Sequence, residues 1–239
     1  MTLLFNGHDF ESLFIVGDPE ISILNYHSKT VESDSKNGSA VIGKTWGNST
    51  VAFTLVVEGS ASERRDKLST LGAWLDVDEP KKLVLPDTPD RYYMAVPDGS
   101  LDLNRAIGAE YTQITFLITE PDSYGKERTV TVPSGGSVSF IVGGTAKTCP
   151  RITASAVRDS SSQVWGIRLD EGDYVHIATG AAAARAVVID CEKRIATISG
   201  SAAIPTLDSD WLELKPGEHT LRMDNGTGAA TVTFIERWK

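Results

Sequence analysis

The residue types that could do chemistry are few in this chain and poorly spaced for it. Four histidines, His8, His27, His176 and His219, are scattered, with no HxxxH or HExxH pair to hold a metal. Each reads as a surface or hydrogen-bonded imidazole. No Gly-x-Ser-x-Gly elbow is present to present a serine nucleophile. Residues 143–148, GGTAKT, imitate a phosphate loop, but Ala146 stands where a glycine must precede the lysine. A strand followed by a turn is the better reading there. Residues 226–230, GTGAA, imitate part of a dinucleotide fingerprint, yet no room follows for the helix that would cap the pyrophosphate. Acid pairs such as Asp76/Asp78 and Asp208/Asp210 are available. A glycosidase needs two carboxylates facing each other across a cleft, which spacing alone does not provide.

Two cysteines, Cys149 and Cys191, are too few for a disulfide scaffold and lack the CxxC spacing of zinc or redox sites. They are expected as buried or half-buried thiols of a protein made in a reducing cytoplasm. Asn37, Asn48 and Asn225 begin N-x-S/T triplets, which mean nothing without a secretion signal. No catalytic, cofactor-binding or metal-binding residue is assigned, no cofactor is expected, and the chain is not read as an enzyme. The remaining chemical opportunity is aromatic. Trp165, Tyr174 and Trp211 could stack on sugar rings, or sit in a core or an interface. Leu212 and Leu214 alternate with Trp211, so Trp211, Glu213 and Lys215 are expected to share the opposite, exposed face. Trp165 follows the polar run RDSSSQ and is expected at a strand start. No polar set visibly converges on either tryptophan, as a sugar site requires.

The elements around these residues are mostly strands. The convincing helix begins at Ser60, with Glu63 at capping-box spacing. Leu68, Leu71, Trp74 and Leu75 mark its apolar face, so Trp74 is expected in the core. Asp76, Asp78, Glu79 and Pro80 end it. A strand, KLVL, then a Pro/Asp turn and the apolar Tyr92, Tyr93 and Met94 follow. Residues 50–57 (TVAFTLVV) and 112–118 (TQITFLI) read as well-buried strands. Further strands are expected at TVTV, SVSFIV, RITASAV, GDYVHIAT, RAVVID, RIATIS, WLEL, HTLRM and ATVTFIE, at the spacing of a sandwich or barrel. Asn225-Gly226 signals a tight turn joining the last two strands. Residues 27–49, rich in Ser, Gly, Asn and charge, read as a long hairpin arm or an ordinary mobile loop. The polar, turn-rich EPDSYGKER places a domain boundary near residues 124–129.

Bulk properties exclude more than they assign. The chain has 239 residues, enough for two ordinary cores. Its 41% hydrophobic and 23% charged content is that of a globular protein. No apolar run reaches the length of a membrane span, and MTLLFNGHDFES lacks the pattern of a signal peptide. The net charge of −9 disfavours stable nucleic-acid binding, which needs clustered lysine and arginine.

Several segments, taken in order, resemble the distal tail proteins of long-tailed phages that infect Gram-positive bacteria. They are the helix-to-strand unit of residues 60–97; the start FNGHDFESLFIVGDPEISI, similar to that family's opening strand; and FLITEPDSYG, similar to the close of its first domain. In the second half they are GDYVHI, VVIDCEKRIATISG and DWLELKPGEHTLRMDNGTGAATVTFIERW. The resemblance covers nearly the whole chain and implies a mainly β protein in two domains. Residues 1–125 would be a ring-forming β-sandwich or split-barrel-like domain with one helix. Residues 126–239 would be a lectin-like β-sandwich. The implied function is a structural hub of the phage tail tip. It would be a homo-hexameric ring that leaves a channel for DNA and joins the tail tube to tail-tip or receptor-binding proteins, in the virion and without a membrane partner. The arm would then hold neighbouring subunits together, and the acidic surface would keep passing DNA from sticking. The alternatives are a carbohydrate-binding adhesion module and, with least support, a β-rich hydrolase.

Overall fold

The computed structural model describes residues 2–22, 26–33, 36–102, 104–106, 109–180 and 183–239. The protein is mainly β, and the chain folds as two compact units, Met1–Ser123 and Tyr124–Lys239.

The first unit is built on a nine-stranded antiparallel sheet. Its spatial order is His8–Asp9, Leu4–Phe5, Lys81–Val84, Tyr93–Asp98, Ala109–Ile118, Ser49–Val57 and Ile15–Val16. Asn104–Ala106 adds onto Ala109–Ile118, and Glu20–Ile21 onto Ser49–Val57. The long pair Ser49–Val57 and Ala109–Ile118 alternates as its sequence dictates. Val51, Phe53, Leu55 and Val57 are buried on one strand, and Ile114, Phe116 and Ile118 on the other. Each large apolar side chain so buried contributes roughly 1.5–3 kcal/mol. The opening segment is not one strand. It breaks into Leu4–Phe5, His8–Asp9, Ile15–Val16 and Glu20–Ile21 around a short 3-10 turn, Phe10–Ser12. Asn6 and Gly7, both at positive φ, reverse the chain between the first two. That winding carries Phe5, Phe10 and Phe14 into one core with Phe53 and Phe116.

The helix Ala61–Leu75 forms where its cap predicts. The Glu63 backbone N–H donates to Ser60 Oγ at 3.4 Å, and the Ser60 N–H donates to Glu63 Oε2 at 2.7 Å. It is a shallowly seated helix. Leu71 is its one fully buried residue, while Leu68, Trp74 and Leu75 are half-buried. The expectation of a core Trp74 is therefore corrected. Its indole lies against the edge of the core, stacked on His8 at 4.8 Å and edge-on to Phe10 at 5.6 Å.

The second unit is a sandwich of a six-stranded and a four-stranded sheet. The first runs Ser123–Val132, Ala230–Trp238, Arg151–Ala156, Arg185–Asp190, Ile195–Ile198, Ser201–Ala203; the second runs Ser137–Val142, Gly217–Asn225, Trp165–Leu169, Tyr174–Ile177. Trp165, Ile167, Leu221 and Val175 from the smaller sheet meet Ile152, Ile189, Val232 and Phe234 from the larger.

Two expectations are corrected here, and the EPDSYGKER stretch bends over fewer residues than its composition suggests. The Asn225-Gly226 turn does not close a hairpin, because Gly217–Asn225 and Ala230–Trp238 lie in different sheets. Gly226 and Gly228, at φ +77° and +106°, instead turn the chain across the sandwich edge, against the Val157 and Ser155 carbonyls. WLEL forms no strand; only Leu214 makes a bridge, to Thr148, although Leu212 and Leu214 are both buried as the alternation requires. The polar stretch after Ile118 is a turn only over residues 119–122. Ser123–Val132 is already a strand, and Gly125 leaves room there for the Trp238 ring.

Candidate functional site: an exposed arm and a polar sheet face

Of the two readings of residues 27–49, the described residues fit the hairpin: Tyr26–Ser33 pairs antiparallel with Lys36–Trp46 in a sheet of its own, joined to no other described strand. Ile42 is the extra residue of a bulge, since Lys29 faces Gly43 while Thr30 faces Val41. Among the described side chains Val41 and Ile42 are 68% and 67% exposed, and Val31 is also exposed. A two-stranded hairpin is marginal in water by itself.

In the second unit the aromatic residues are not free for a sugar. Trp165 does start a strand but is 0% exposed, inside the sandwich. Trp211 is half-buried against the same core, not on an open face. Tyr174 lies on the outer face of the four-stranded sheet, but the Arg168 guanidinium covers its ring at 4.5 Å and its hydroxyl donates to Asp208 Oδ2 at 2.8 Å.

That outer face holds a polar network which sequence reading missed. Arg168 donates from Nε and Nη2 to the two oxygens of Asp224, each at 2.9 Å. Asp224 Oδ2 also lies 2.7 Å from His176 Nε2, and Asn225 Nδ2 lies 3.0 Å from the same nitrogen. The Arg168 hydrogen bonds, with a further one from His176, hold the Asp224 carboxyl below the usual aspartate range against the opposing effect of burial. A His–Asp pair invites comparison with a hydrolase dyad. Here the carboxylate is engaged by arginine, and Nε2 is shared between Asp224 and Asn225, which leaves that nitrogen no nucleophile to activate. The outward alternation of GIRLD and LRMDN was available in the sequence; the cross-strand register that joins Arg168 to Asp224 was not.

The other candidates are structural. His219 is pinned between Asp170 Oδ2 at 2.8 Å and the Lys215 carbonyl at 2.7 Å. His8 stacks on Trp74, and His27 is exposed on the arm. Most N–H groups of the phosphate-loop mimic are occupied: Gly143 donates to Glu236, Thr145 and Ala146 to the Arg237 carbonyl, and Thr148 to the Leu214 carbonyl. Asp76 caps the helix C-terminus, and Asp208 and Asp210 sit on one exposed loop rather than across a cleft. Both cysteines are free thiols. Burial pushes Cys191 up to about 12 and raises Cys149 as well, so neither is a ready nucleophile. Beside Cys149 a hollow of about 300 Å³ on the six-stranded sheet carries the charged Glu127, Arg151, Asp190, Glu192 and Arg237 among its lining. Among the described residues no group of three or more His, Cys, Asp or Glu is placed to hold a metal, and no helix is long and apolar enough to cross a membrane.

The described residues thus form two β units, the first carrying a two-stranded hairpin in a sheet of its own. Comparison with known proteins agrees at both ends of the chain. Residues 2–118 match the phage tail protein RIFT-related domain, and residues 143–238 match the C-terminal domain of the siphovirus-type tail component. The distal tail protein of Bacillus phage SPP1 is 23% identical over 248 residues, spanning 99% of this chain and 95% of that protein. The crystal structure of SPP1 Dit, described as a paradigm of the hub adsorption apparatus in phages infecting Gram-positive bacteria, is similar with a TM-score of 0.81. Its sequence identity is 19%, and the match spans 100% of this chain and 99% of that one. With its two halves matching these two tail domains, the chain belongs to the distal tail protein family and is a structural component of a phage tail.

Proposed function

We propose that this protein is the hub of the tail tip. It assembles as a homo-hexameric ring that connects the tail tube to the adhesion device and leaves a channel for DNA. The observation that carries this reading is the end-to-end match to a hub protein, 99% of this chain against 95% of the relative. The residues 1–125 form the ring, and the residues 126–239 hold or present other tail-tip proteins. A ring arises when one heterologous interface repeats and closes on itself. The arm supports this reading, because its apolar Val31, Val41 and Ile42 are open to solvent in the isolated chain and would be covered by a neighbour. The net charge of −9 suits a passage through which DNA must slide without binding. The function is assembly without turnover, in the virion.

Native mass spectrometry tests it. A species of six times the 25.7 kDa chain is expected at micromolar concentration. A 25.7 kDa species alone across that range overturns the ring. The same protein is expected to show no saturable sugar on a glycan array, since Trp165 is buried and Tyr174 is covered. A sub-millimolar glycan lost in Trp211→Ala would make adhesion the leading function.

A further inference from the structure

We infer that the tip of the arm is a self-modification site. The Gly38 backbone nitrogen attacks the side-chain amide of Asn37, which loses ammonia and becomes a carboxylate once water opens the ring.

The chain contains three Asn-Gly pairs, Asn6-Gly7, Asn37-Gly38 and Asn225-Gly226. Such a pair is well suited to this reaction, because glycine has no side chain to crowd its nitrogen or restrict its rotation. Water is the sole co-reactant. The Gly38 nitrogen bonds to Asn37 Cγ, the Cγ–Nδ2 bond breaks, and the proton of the attacking nitrogen leaves with the ammonia. Water then opens either carbonyl of the cyclic imide, which leaves an aspartate or an isoaspartate at position 37. The attack is intramolecular, so its rate depends on whether the fold lets the nitrogen reach the amide carbon.

The fold holds two of the three pairs still and leaves the third open. Asn6 and Gly7 are the two residues of a tight turn, at φ +50° and +81°, closed by the Phe5–His8 pair. The Asn6 N–H donates to the Lys82 carbonyl at 2.9 Å, and Phe5 is wholly buried, so this turn cannot open without disturbing the core. Asn225 is tied through its amide: Ser162 Oγ lies 3.4 Å from Oδ1, and His176 Nε2 lies 3.0 Å from Nδ2. Gly226 is pressed against the Val157 carbonyl, and the next residue, Thr227, exchanges two backbone hydrogen bonds with Val157, at 2.8 and 2.9 Å. Asn37 and Gly38 have none of these restraints. Ser33 faces Lys36 and Glu32 faces Ser39, so the two are extra residues that nothing on the facing strand opposes. Both are exposed, and no atom lies within 4 Å of the place where a Gly38 side chain would stand. The sheet beneath them has only two strands, which open at low cost. The product adds negative charge to a chain already at −9, and isoaspartate lengthens the main chain at the arm tip by a methylene.

The inference does not rest on the ring, and the test keeps the full folded chain dilute in mildly alkaline buffer so that no neighbour shields the arm. Mass spectrometry reads the three sites separately, because trypsin cuts at Lys36 and Arg222 place them on different peptides. Loss of ammonia at Asn37 is expected to run on the order of tenfold faster, or more, than at Asn6 or Asn225. In urea, where all three pairs are released, that preference is expected to vanish. Asn37→Gln, which must close a larger ring, is expected to delay the first acidic isoform on isoelectric focusing, with thermal unfolding unchanged. Labelling by an isoaspartyl methyltransferase is expected at position 37. Asn6 or Asn225 reacting as fast as Asn37 in the folded chain overturns the proposal, as does a preference for Asn37 that persists in urea. Aspartate without isoaspartate at position 37 would mean direct attack by water, and overturns it too.

Discussion

At the scale of single residues, energy depends on how completely a side chain is enclosed and tied. Trp74 has the sequence position of a core residue, yet it caps the core edge, between His8 and Phe10. Emptying a fully buried aromatic site costs about 3–5 kcal/mol, so Trp74→Ala is expected to cost roughly 2 kcal/mol in chemical denaturation. A loss under about 0.5 kcal/mol would mean that the indole is free of the core. Asp224 shows the electrostatic counterpart. Its folded carboxyl lies below the ordinary 3.8, first through the Arg168 hydrogen bonds. A depressed acid contributes stability above its unfolded value and loses it as pH falls through the folded one. Asp224→Asn is therefore expected to lower the melting temperature of the second unit at pH 7. The gap to wild type should close as pH falls below 3.8. A gap unchanged from pH 7 to pH 2 would exclude the Arg168–Asp224 pair as its cause.

At the scale of elements, local signals and long-range pairing part company. The Ser60 and Glu63 cap fixes the helix start because both partners lie within one turn. Ser60→Ala is expected to cost about 1 kcal/mol. The strand Ser49–Val57 was legible because strict alternation survives any partner. EPDSYGKER was less legible. Its charges suggest a linker, but from Ser123 the stretch is a strand paired with Ala230–Trp238, in which Lys126, Glu127 and Arg128 are all exposed, on both faces in turn. Limited proteolysis is therefore expected to cut first within residues 119–122, leaving two resistant fragments. First cuts at residues 125–127 would show that the start of this strand is frayed in solution.

At the scale of the whole molecule, the proposed ring rests on a feature that a single chain stabilises least. Among the described residues the two strands of the arm pair only with each other. Replacing residues 28–44 by a short turn is expected to lower the oligomer mass without unfolding either unit, as read by light scattering and two retained thermal transitions. An unchanged oligomer would take the arm out of the subunit contact.

The sequence by itself determined the mainly β class, the single capped helix, the buried faces of the long strands and the family, and it narrowed residues 27–49 to a hairpin arm or a loop. These depend on local period, capping and turn chemistry, or on the order of segments along the chain. Only the tertiary structure decided which strands share a sheet. It therefore also decided that Asn225-Gly226 crosses between sheets, that Trp165 is sealed inside, and that Arg168, His176 and Asp224 meet. Period-two alternation tells which way a side chain faces, but not which strand lies beside it. Sheet partners are chosen by packing and register between residues far apart in the chain, and it is that choice which turns candidate chemical groups into satisfied structural ones.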